Sequence, residues 1–466
     1  MLNYAVNLLI VEEKAVECQL PNFFISPDFK AFRVFRLDIF ALVKKSDIRV
    51  LNISMRLLSL KPYPIQKTLC PQCGEKTVFS SEVFFQGIHV LKDCHCQNCD
   101  LDFWETLPTG HTIDKPLVVN KANNELIGIV EGSEWLAQAL IRSLDFSENE
   151  SIYIQRDIRR SSKKIILLNC LDDCFGHVFN KLWNACFVEG GYEMVVLIPS
   201  QCAWMVPDEV SEIWTVPIEV SEIGKGVPGL HQQLKGLLEQ YEEVFLHPAF
   251  VHLDHLKIPF DKILKTSRFP LPEFLVRKPK IGFVLREDRF WLNSSFFEFL
   301  FLVSKKFKVF ELFRPIFLWR QKQLVVTCAK LLGKSFPGIG IYVSGLGNSG
   351  TYPKLIEDLR VGQILSEKEQ ERISVYAETH LIIGVHGSHL LVPTGLAAGY
   401  ININPRYKTA HWVEDTILPY RDRMQQFLGR KLDQKSSPSL VVHHIKSVFE
   451  NFEYVWRRLN EAHSEK

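Results

Sequence analysis

Short apolar runs alternate with stretches of helical spacing from about residue 115 onward. The runs KKIILLNC and EMVVLIP, for example, flank a helical stretch at 178–186. This alternation is typical of βαβ units, in which helices cover the faces of a parallel sheet. A second series of the same kind begins after a proline-containing linker at 269–280. We therefore predict an α/β protein with two tandem Rossmann-like domains and a cleft between them.

The predicted chain has four parts. Residues 1–65 form an N-terminal accessory region, and residues 66–114 form a small cysteine-rich module. The first Rossmann-like domain covers 115–275, and the second covers 276–466 and ends in a helix. In the second domain we predict helices at 320–332 and 367–377 and strands at IGFVL, KVFEL, GIGIYVSG, HLIIGV and YININP.

Composition and charge narrow the class of protein. Hydrophobic residues make up 46% of the chain and charged residues 23%, as in ordinary soluble globular proteins. The formal net charge of +2 gives no general attraction to nucleic acid, so we predict no nucleic-acid partner. Anion binding would need a local cluster of basic residues.

The N-terminus and the cysteine content favour a cytoplasmic protein without a transmembrane segment. The opening sequence MLNYAVNLLIVEEKAVECQL has no basic lead and does not resemble a secretory signal. The best apolar candidate, Phe296–Val303, is far shorter than the roughly 20 residues that span a bilayer. Eleven cysteines, an odd number, fit metal binding in a reducing compartment better than a disulfide framework.

Two C-x-x-C pairs predict a zinc-ribbon-like module. The pairs are separated by a spacer of 22 residues and consist of Cys70 with Cys73 and Cys96 with Cys99. Four thiolates satisfy tetrahedral zinc and leave no position for a substrate, so we expect a structural zinc ion. The alternatives are a redox dithiol or unpaired thiols, and Cys94 or His95 can replace one of the four ligands.

The first Rossmann-like domain offers a candidate general base. The strand KKIILLNC is followed by Asp172, Asp173 and His177 at the start of a helix. Because imidazole titrates near neutral pH, His177 is a candidate to remove a proton from an acceptor hydroxyl, and Asp173 is a second candidate. Carboxylates before a helix are also common as caps that favour its positive dipole end.

The second domain offers a candidate anion site in the segment THLIIGVHGSHLLVPTGLAAGYININP. Its strand, loop, helix, strand pattern places His386, Gly387, Ser388 and His389 at the carboxyl end of a strand. Gly387 lets the backbone approach a ligand, Ser388 can cap the helix, and the amides between them can bind an anion. A purely structural turn is the alternative.

Two further loops extend this candidate site. Arg286 and Arg289 follow the strand IGFVL, and their planar guanidinium groups suit bidentate phosphate binding. The alternative is that they form surface ion pairs with the neighbouring carboxylates. The glycine-rich segment 342–353, which contains Gly345, can surround a nucleotide, although it lacks the P-loop lysine and the full dinucleotide fingerprint.

These motifs resemble glycosyltransferases of the GT-B architecture, most closely the group that contains plant xylosyltransferases and the EGF-domain-specific O-GlcNAc transferase. The similarity covers roughly residues 165–430. It is carried by the arginine pair with Asn293, the turn Gly384–Gly387 followed by Pro393 and Gly395, and Phe175–His177. The chain departs from the family pattern at 388–392, and Asn402 or Asn404 stands where the family commonly has a glutamate.

The resemblance implies a bacterial glycosyltransferase that transfers sugar from a nucleotide sugar to a glycan or lipid-linked glycan acceptor. Its donor site would consist of Arg286, Arg289, Gly345, His386, Gly387, Ser388 and His389. Fixed cations there would stabilise the charge that develops on the leaving diphosphate, so no catalytic metal is expected. The second hypothesis is a non-catalytic zinc-ribbon scaffold or binding protein with a degenerate GT-B fold.

Overall fold

The structure is a computed structural model of the chain. It describes residues 57–63, 67–128, 132–144, 152–187, 191–252, 254–406, 408, 414–417, 420 and 423–464. All of these residues belong to one compact unit, Met55–Lys466. Apart from 57–63, the predicted accessory region 1–65 lies outside the described residues.

The cysteine-rich module is built on an antiparallel sheet. Strand β1 (Leu58–Lys61) precedes the module and belongs to the next sheet along the chain. The module sheet holds five strands in chain order: β2 (Lys67–Leu69), β3 (Lys76–Phe85), β4 (Val90–His95), β5 (Asp102–Thr106) and β6 (Val118–Asn120). Because β6 pairs with β5, the sheet continues past the predicted boundary at residue 114. Helix α1 (Glu134–Leu144) follows and packs Leu136 and Leu140 against this sheet.

The middle sheet has a parallel centre and antiparallel edges. Its strands after β1 are β7 (Gln155–Ile158), β8 (Lys164–Asn169), β9 (Glu193–Pro199), β10 (Glu212–Val216) and β11 (Glu243–Leu246). The order is β1-β11-β8-β9-β10-β7, in which only β1 and β7 run antiparallel to their neighbours. The accompanying helices are α2 (Phe175–Leu182), α3 (Leu230–Leu238) and α4 (Phe260–Leu264).

The C-terminal sheet is parallel throughout. Its strands are β12 (Lys280–Arg286), β13 (Gly340–Leu346), β14 (Glu357–Asp358), β15 (Leu381–Val385), β16 (Gly399–Asn404) and β17 (Gly429–Asp433). Its helices are α5 (Ser295–Lys306), α6 (Phe310–Ser335), α7 (Ser366–Ala377), α8 (Leu391–Leu396), α9 (Met424–Leu428) and α10 (Pro438–Ser464). The strand order is β14-β13-β12-β15-β16-β17. The first strand, β12, therefore lies at the centre. The next two strands, β13 and β14, lie on one side of it, and β15, β16 and β17 lie on the other side.

The predicted strand at 308–312 is wrong. This run, KVFEL, contains the start of helix α6, which begins at Phe310, ten residues before the predicted helix. Phe310, Phe317 and Leu324 recur at intervals of seven residues and are all buried, so one face of the long helix is fixed to the core. A five-residue apolar run fits a strand as well as the end of a helix, and periodicity alone does not separate the two.

One face of the middle sheet shares a hydrophobic core with the C-terminal sheet, while its other face packs in a second cluster that includes Ile165, Leu167 and Trp214. A single cluster of buried residues includes Val178 and Phe179 of α2, Ile281 and Phe283 of β12, and Leu390 before α8. The elements that follow β8 and β15 therefore pack against each other rather than on separate cores. Among the described residues, no helix combines the length and the apolar character that a membrane span requires.

Candidate functional site

The four predicted zinc ligands lie together on two tight turns of the cysteine module. The Sγ atoms of Cys70 and Cys99 are 3.5 Å apart, as are those of Cys73 and Cys96. All four sulfur atoms lie within 4.8 Å of one another. Tetrahedral zinc with Zn–S bonds of about 2.3 Å separates its sulfur ligands by about 3.8 Å. The cluster is therefore of the right size to bind a structural metal such as zinc.

Neither alternative ligand belongs to this cluster. Cys94 is fully buried in the small core of the module, and its Sγ atom lies 3.9 Å from the carbonyl oxygen of Lys92. His95 is exposed, and its Nδ1 atom lies 2.8 Å from the Asp102 carboxylate. The two C-x-x-C pairs therefore supply all four sulfur atoms of the cluster.

At the carboxyl edge of the middle sheet, His177 is paired with Asp172. The chain leaves β8 at Asn169, and α2 carries His177 back so that its Nδ1 atom lies 2.9 Å from Asp172 Oδ1. Lys181, one turn further along α2, places its Nζ atom 2.9 Å from Asp172 Oδ2. The Asp172 carboxylate is completely buried, so its charge is balanced by two cationic neighbours rather than by water.

The electrostatics of this pair favour a protonated imidazole. Burial lowers the pKa of His177, but the Asp172 carboxylate more than offsets it and raises the pKa to about 9. Burial would raise the pKa of Asp172, but the charges of Lys181 and His177 outweigh this effect and lower it. The predicted second base, Asp173, is exposed, and desolvation with the neighbouring Asp172 charge raises its pKa. Asp172, and not Asp173, is therefore the partner of His177.

Three aromatic rings that the sequence analysis did not identify lie near this pair, with His111 and Trp135 beside His177 and His252 beside His111. The ring centroid of His111 lies 4.8 Å from that of His177, and that of Trp135 lies 5.4 Å away. His252, which follows β11, lies 6.3 Å from His111. Burial and the nearby His177 charge hold the pKa of His111 well below its usual range. A protonated and a neutral imidazole thus lie side by side.

Asp172, Asp173 and His177 also form a potential metal-binding group, since one ligand atom from each lies within 4.8 Å of the others. The Lys181 ammonium already occupies the second oxygen of Asp172. A cation at this position would meet that ammonium at close range, and the repulsion disfavours binding. The geometry suits proton transfer better than metal coordination.

At the carboxyl edge of the C-terminal sheet, Arg289 lies directly over the predicted anion-binding turn. Its Nη1 atom donates to the carbonyl oxygen of His386 at 3.1 Å. A Cβ atom added to Gly387 would lie 1.5 Å from the same nitrogen, so only glycine leaves room for this guanidinium. The backbone N–H of His386 donates to Ile403 and is part of the sheet, so this amide does not face a ligand.

His386 is fixed between two strands and an acidic loop. The side-chain amide of Asn402, within β16, donates to His386 Nδ1 at 2.8 Å, which leaves the ring proton on Nε2. That nitrogen lies 3.3 Å from Asp415 Oδ2. His386 is completely buried, so these contacts hold the ring in one orientation. Asn402 therefore positions the imidazole.

His389 is the most unusual polar group of the turn. Within the described chain, neither of its ring nitrogens has a hydrogen-bond partner, although both are buried. Burial and the nearby charges of Arg286 and Arg289 hold its pKa well below the usual range, so the ring is neutral. Buried polar atoms in native proteins are nearly always satisfied, which makes His389 a candidate to contact a ligand.

Lys408 adds a further cation that sequence reasoning missed. Burial and the Arg289 charge lower the pKa of Lys408. Arg286, by contrast, donates from Nε and Nη2 to the two oxygens of Asp288 at 2.7 and 3.0 Å. The predicted arginine pair is therefore unequal, since Arg286 holds both oxygens of Asp288, whereas Arg289 contacts the turn and its Nε atom lies 3.9 Å from one Asp288 oxygen.

The two sheet edges meet at one point. The Sγ atom of Cys174, the residue before α2, lies 3.0 Å from the Ser388 hydroxyl oxygen. The backbone N–H of His177 donates to the carbonyl oxygen of Cys174 at 2.9 Å. The contact between Cys174 and Ser388 therefore joins the helix that carries His177 to the 386–389 turn beside Arg289.

The glycine-rich segment 342–353 lies on the other side of β12. Gly345 has a positive φ of +112°, and a Cβ atom there would lie 2.0 Å from the carbonyl oxygen of Leu285, so close strand packing explains this glycine. Ser349 donates to the Glu287 carboxylate at 2.7 Å. A cavity of about 280 Å³ opens beside this segment, between the ends of β12 and β13 and helix α6. Arg286 lines that cavity.

Comparisons with protein-family models, with characterised proteins and with solved structures find no match to this chain.

Proposed function

We propose that the chain is a glycosyltransferase that binds a nucleotide sugar at the carboxyl edge of the C-terminal sheet. In this proposal both α/β sheets belong to Rossmann-like domains, and a glycan or lipid-linked glycan acceptor binds at the edge of the middle sheet. The observation that carries the proposal is the approach of Arg289, the 386–389 turn and His177 around the contact between Cys174 and Ser388.

The strand order supports the Rossmann-like assignment. The C-terminal sheet follows the order 3-2-1-4-5-6 when its strands are numbered along the chain, which is the order of dinucleotide-binding sheets. Ligands of such sheets bind where the direction of strand addition reverses. In the C-terminal sheet that point lies between β12 and β15, at Arg286–Arg289 and the 386–389 turn. In the middle sheet it lies between β8 and β11, at His177 and His252.

The charges support a diphosphate as the ligand of the C-terminal sheet. Arg289 and Lys408 would form charge-assisted hydrogen bonds with phosphate oxygens, and His389 would gain the partner that it lacks within the described chain. When the bond from the sugar to the diphosphate breaks, negative charge grows on the leaving oxygen. Cations fixed in advance stabilise that state more than the ground state and so accelerate the reaction.

The His177–Asp172 pair supports the acceptor half of the reaction. A histidine held by a buried carboxylate has a fixed ring orientation and is a stronger base than a free imidazole. Its deprotonated form can accept the proton of an acceptor hydroxyl. Because the pKa of His177 is raised to about 9, the proposal predicts a transfer rate that increases with pH through the neutral range.

One observation favours the second candidate, a non-catalytic scaffold. Both oxygens of Asp288 are engaged by Arg286, and the Arg289 Nε atom lies 3.9 Å from one of them, so both members of the arginine pair have a carboxylate neighbour. If the whole turn were structural in this way, the protein would bind no nucleotide.

Binding of nucleotides separates the two candidates. The full chain should be screened for a rise in melting temperature with nucleoside diphosphates and nucleotide sugars, and the best ligand should be titrated by calorimetry. We expect Arg289→Ala to weaken binding by about tenfold or more, because a charge-assisted hydrogen bond contributes roughly 1.5–3 kcal/mol. Gly387→Ala should have a similar effect, since the added Cβ displaces the guanidinium.

Arg457→Ala is the matched control, because Arg457 is an exposed arginine on α10 that pairs only with its helix neighbour Glu453 among the described ion pairs. It should leave binding unchanged. If no nucleotide or nucleotide sugar raises the melting temperature of the wild-type chain, the proposed function is wrong and the scaffold hypothesis takes its place.

A further inference from the structure

Helices α5 and α6 expose an unusual concentration of large apolar side chains. Of the nineteen large hydrophobic residues that are exposed in the described chain, eight lie between residues 296 and 319. We call these eight the hairpin surface: Phe296, Phe299, Leu302, Phe307, Val309, Leu312, Ile316 and Trp319. Each is more than 40% exposed, and Leu312 reaches 76%. Exposed apolar patches of this kind usually mark an interaction site.

The spacing of these residues places them on the outer faces of the two helices. Phe296, Phe299 and Leu302 recur every three residues along α5, which keeps them on one side of that helix. The opposite side of the pair is also apolar, since Phe301, Phe310 and Phe317 form an inner cluster. A helix pair with apolar residues on two opposite sides buries one side against the fold and normally has the other side covered as well. The inner cluster buries one side of the helix pair, whereas the hairpin surface on the other side is exposed and is expected to bind a partner.

Basic residues accompany the hairpin surface. The stretch 295–322 carries six basic residues and two acidic ones, a net charge of +4, whereas the entire chain has +2. Lys305, Lys306 and Lys308 lie together at the turn between the helices and are exposed. The Lys305 ammonium lies 3.7 Å from the Phe310 ring centroid in a cation–π contact, so the exposed Lys306 and Lys308 are the lysines of this turn with no such ring contact in the described chain.

Aromatic and aliphatic side chains combined with lysines and arginines are the chemistry of helices that lie in the interface of an anionic membrane. The apolar groups enter the region between headgroups and acyl chains, and the cations bind the phosphates. We propose that the hairpin surface docks the protein onto an anionic phospholipid bilayer, with both helices parallel to the membrane plane. The proposal does not depend on the glycosyltransferase activity.

Two other occupants fit the charge less well. A second copy of the chain in a symmetric contact would bring a net charge of +4 against the same charge. The N-terminal residues 1–54 contain seven basic and six acidic residues, so they offer no excess negative charge to match the hairpin surface. An anionic lipid surface supplies both the apolar and the negative components.

Vesicle sedimentation tests the proposal. The full chain should be mixed with vesicles of phosphatidylcholine alone and with vesicles that also contain phosphatidylglycerol. We expect binding to the anionic vesicles that is stronger by about tenfold or more and that weakens as salt is added. The triple variant Phe296→Ser, Phe299→Ser, Leu312→Ser should lose most of this binding. The triple variant Lys305→Glu, Lys306→Glu, Lys308→Glu should lose the preference for anionic lipid.

The control variant is Tyr153→Ser, Val276→Ser, Tyr454→Ser, which removes three equally exposed apolar residues outside the hairpin surface. It should bind vesicles as the wild type does, and melting temperatures should show that all variants are folded. The proposal is overturned if the wild type binds neither kind of vesicle or binds both equally. It is also overturned if the wild type is a dimer that the hairpin variants convert to monomer while vesicle binding is absent.

Discussion

At the scale of single residues, the local pairing of His177 decides what the candidate base can do. Asp172 is buried at the end of a strand, and the first turns of α2 bring His177 and Lys181 to its two oxygens. The sequence pointed to this group because acidic residues and a histidine follow a strand together. It could not identify His111 as a neighbour of His177, because the two lie 66 residues apart along the chain and meet only through tertiary packing, and the same holds for His252 beside His111.

Replacing His177 by Gln should have a pH-dependent effect on stability. The folded-state pKa of His177 is raised to about 9, so its stabilising contribution is fully present below the unfolded value of about 6.5. The contribution is lost as the pH rises through about 9. The loss of unfolding free energy in His177→Gln should therefore be about 3 kcal/mol larger near pH 6 than near pH 10. Urea denaturation at several pH values measures this difference.

His380→Gln provides the opposite case. Burial lowers the pKa of His380 to about 4, so in alkaline solution its imidazole is neutral in both the folded and the unfolded protein. The effect of His380→Gln should be constant from about pH 8 to pH 10 and should change only as the pH falls through 6.5 toward 4. A pH-independent effect of His177→Gln would show that the Asp172–His177 ion pair does not form.

At the scale of elements, runs in which every residue is buried were the easiest to predict. All residues of β15 and β16 are buried, and both appear in the sequence as apolar runs bounded by polar or turn residues. The start of α6 was missed because KVFEL has no period that distinguishes a strand from a helix. The place of β1 was also unpredictable, since its partner β11 lies almost two hundred residues further along the chain.

The cysteine module should depend on metal for its stability. The cluster of buried residues around its sulfur atoms is small and consists of Cys70, Cys94, Cys96, Leu101 and Phe103, so four metal bonds would contribute a large share of the folding free energy of this part of the module. We expect the purified chain to contain one zinc ion by elemental analysis. Cys96→Ser should lose the metal and be less stable by more than about 3 kcal/mol.

Cys94→Ala is the matched control for this prediction. Cys94 is also a buried cysteine of the module, but it lies outside the four-sulfur cluster. The variant should keep its zinc and lose only a small amount of packing energy, about 1 kcal/mol. If a strong chelator leaves the unfolding transition of the wild type unchanged, the cluster is not a structural metal site.

At the scale of the whole molecule, a close contact between a glycine and the backbone of a loop helps to fix the middle sheet against the C-terminal sheet. Gly176, in the first turn of α2, lies against the backbone of Ser388 in the turn after β15. The repeated strand–helix pattern predicted both sheets, but it contained no information about which loops would touch. That contact follows from the shared core, whose members come from both series of elements.

Gly176→Ala should therefore destabilise the molecule by separating its two sheets. The added Cβ atom would lie 2.4 Å from the Ser388 carbonyl oxygen and 2.7 Å from its Cβ atom, so backbone must move. We expect a loss of about 1–3 kcal/mol in urea denaturation, as in other overpacked sites. Gly236→Ala is the control, because Gly236 lies in helix α3 with no atom near the added Cβ, and the change should stabilise that helix by up to about 1 kcal/mol. Equal stabilities of the two variants would mean that α2 and the 386–389 turn are not in contact, and the proposed meeting of donor and acceptor sites would then lose its structural basis.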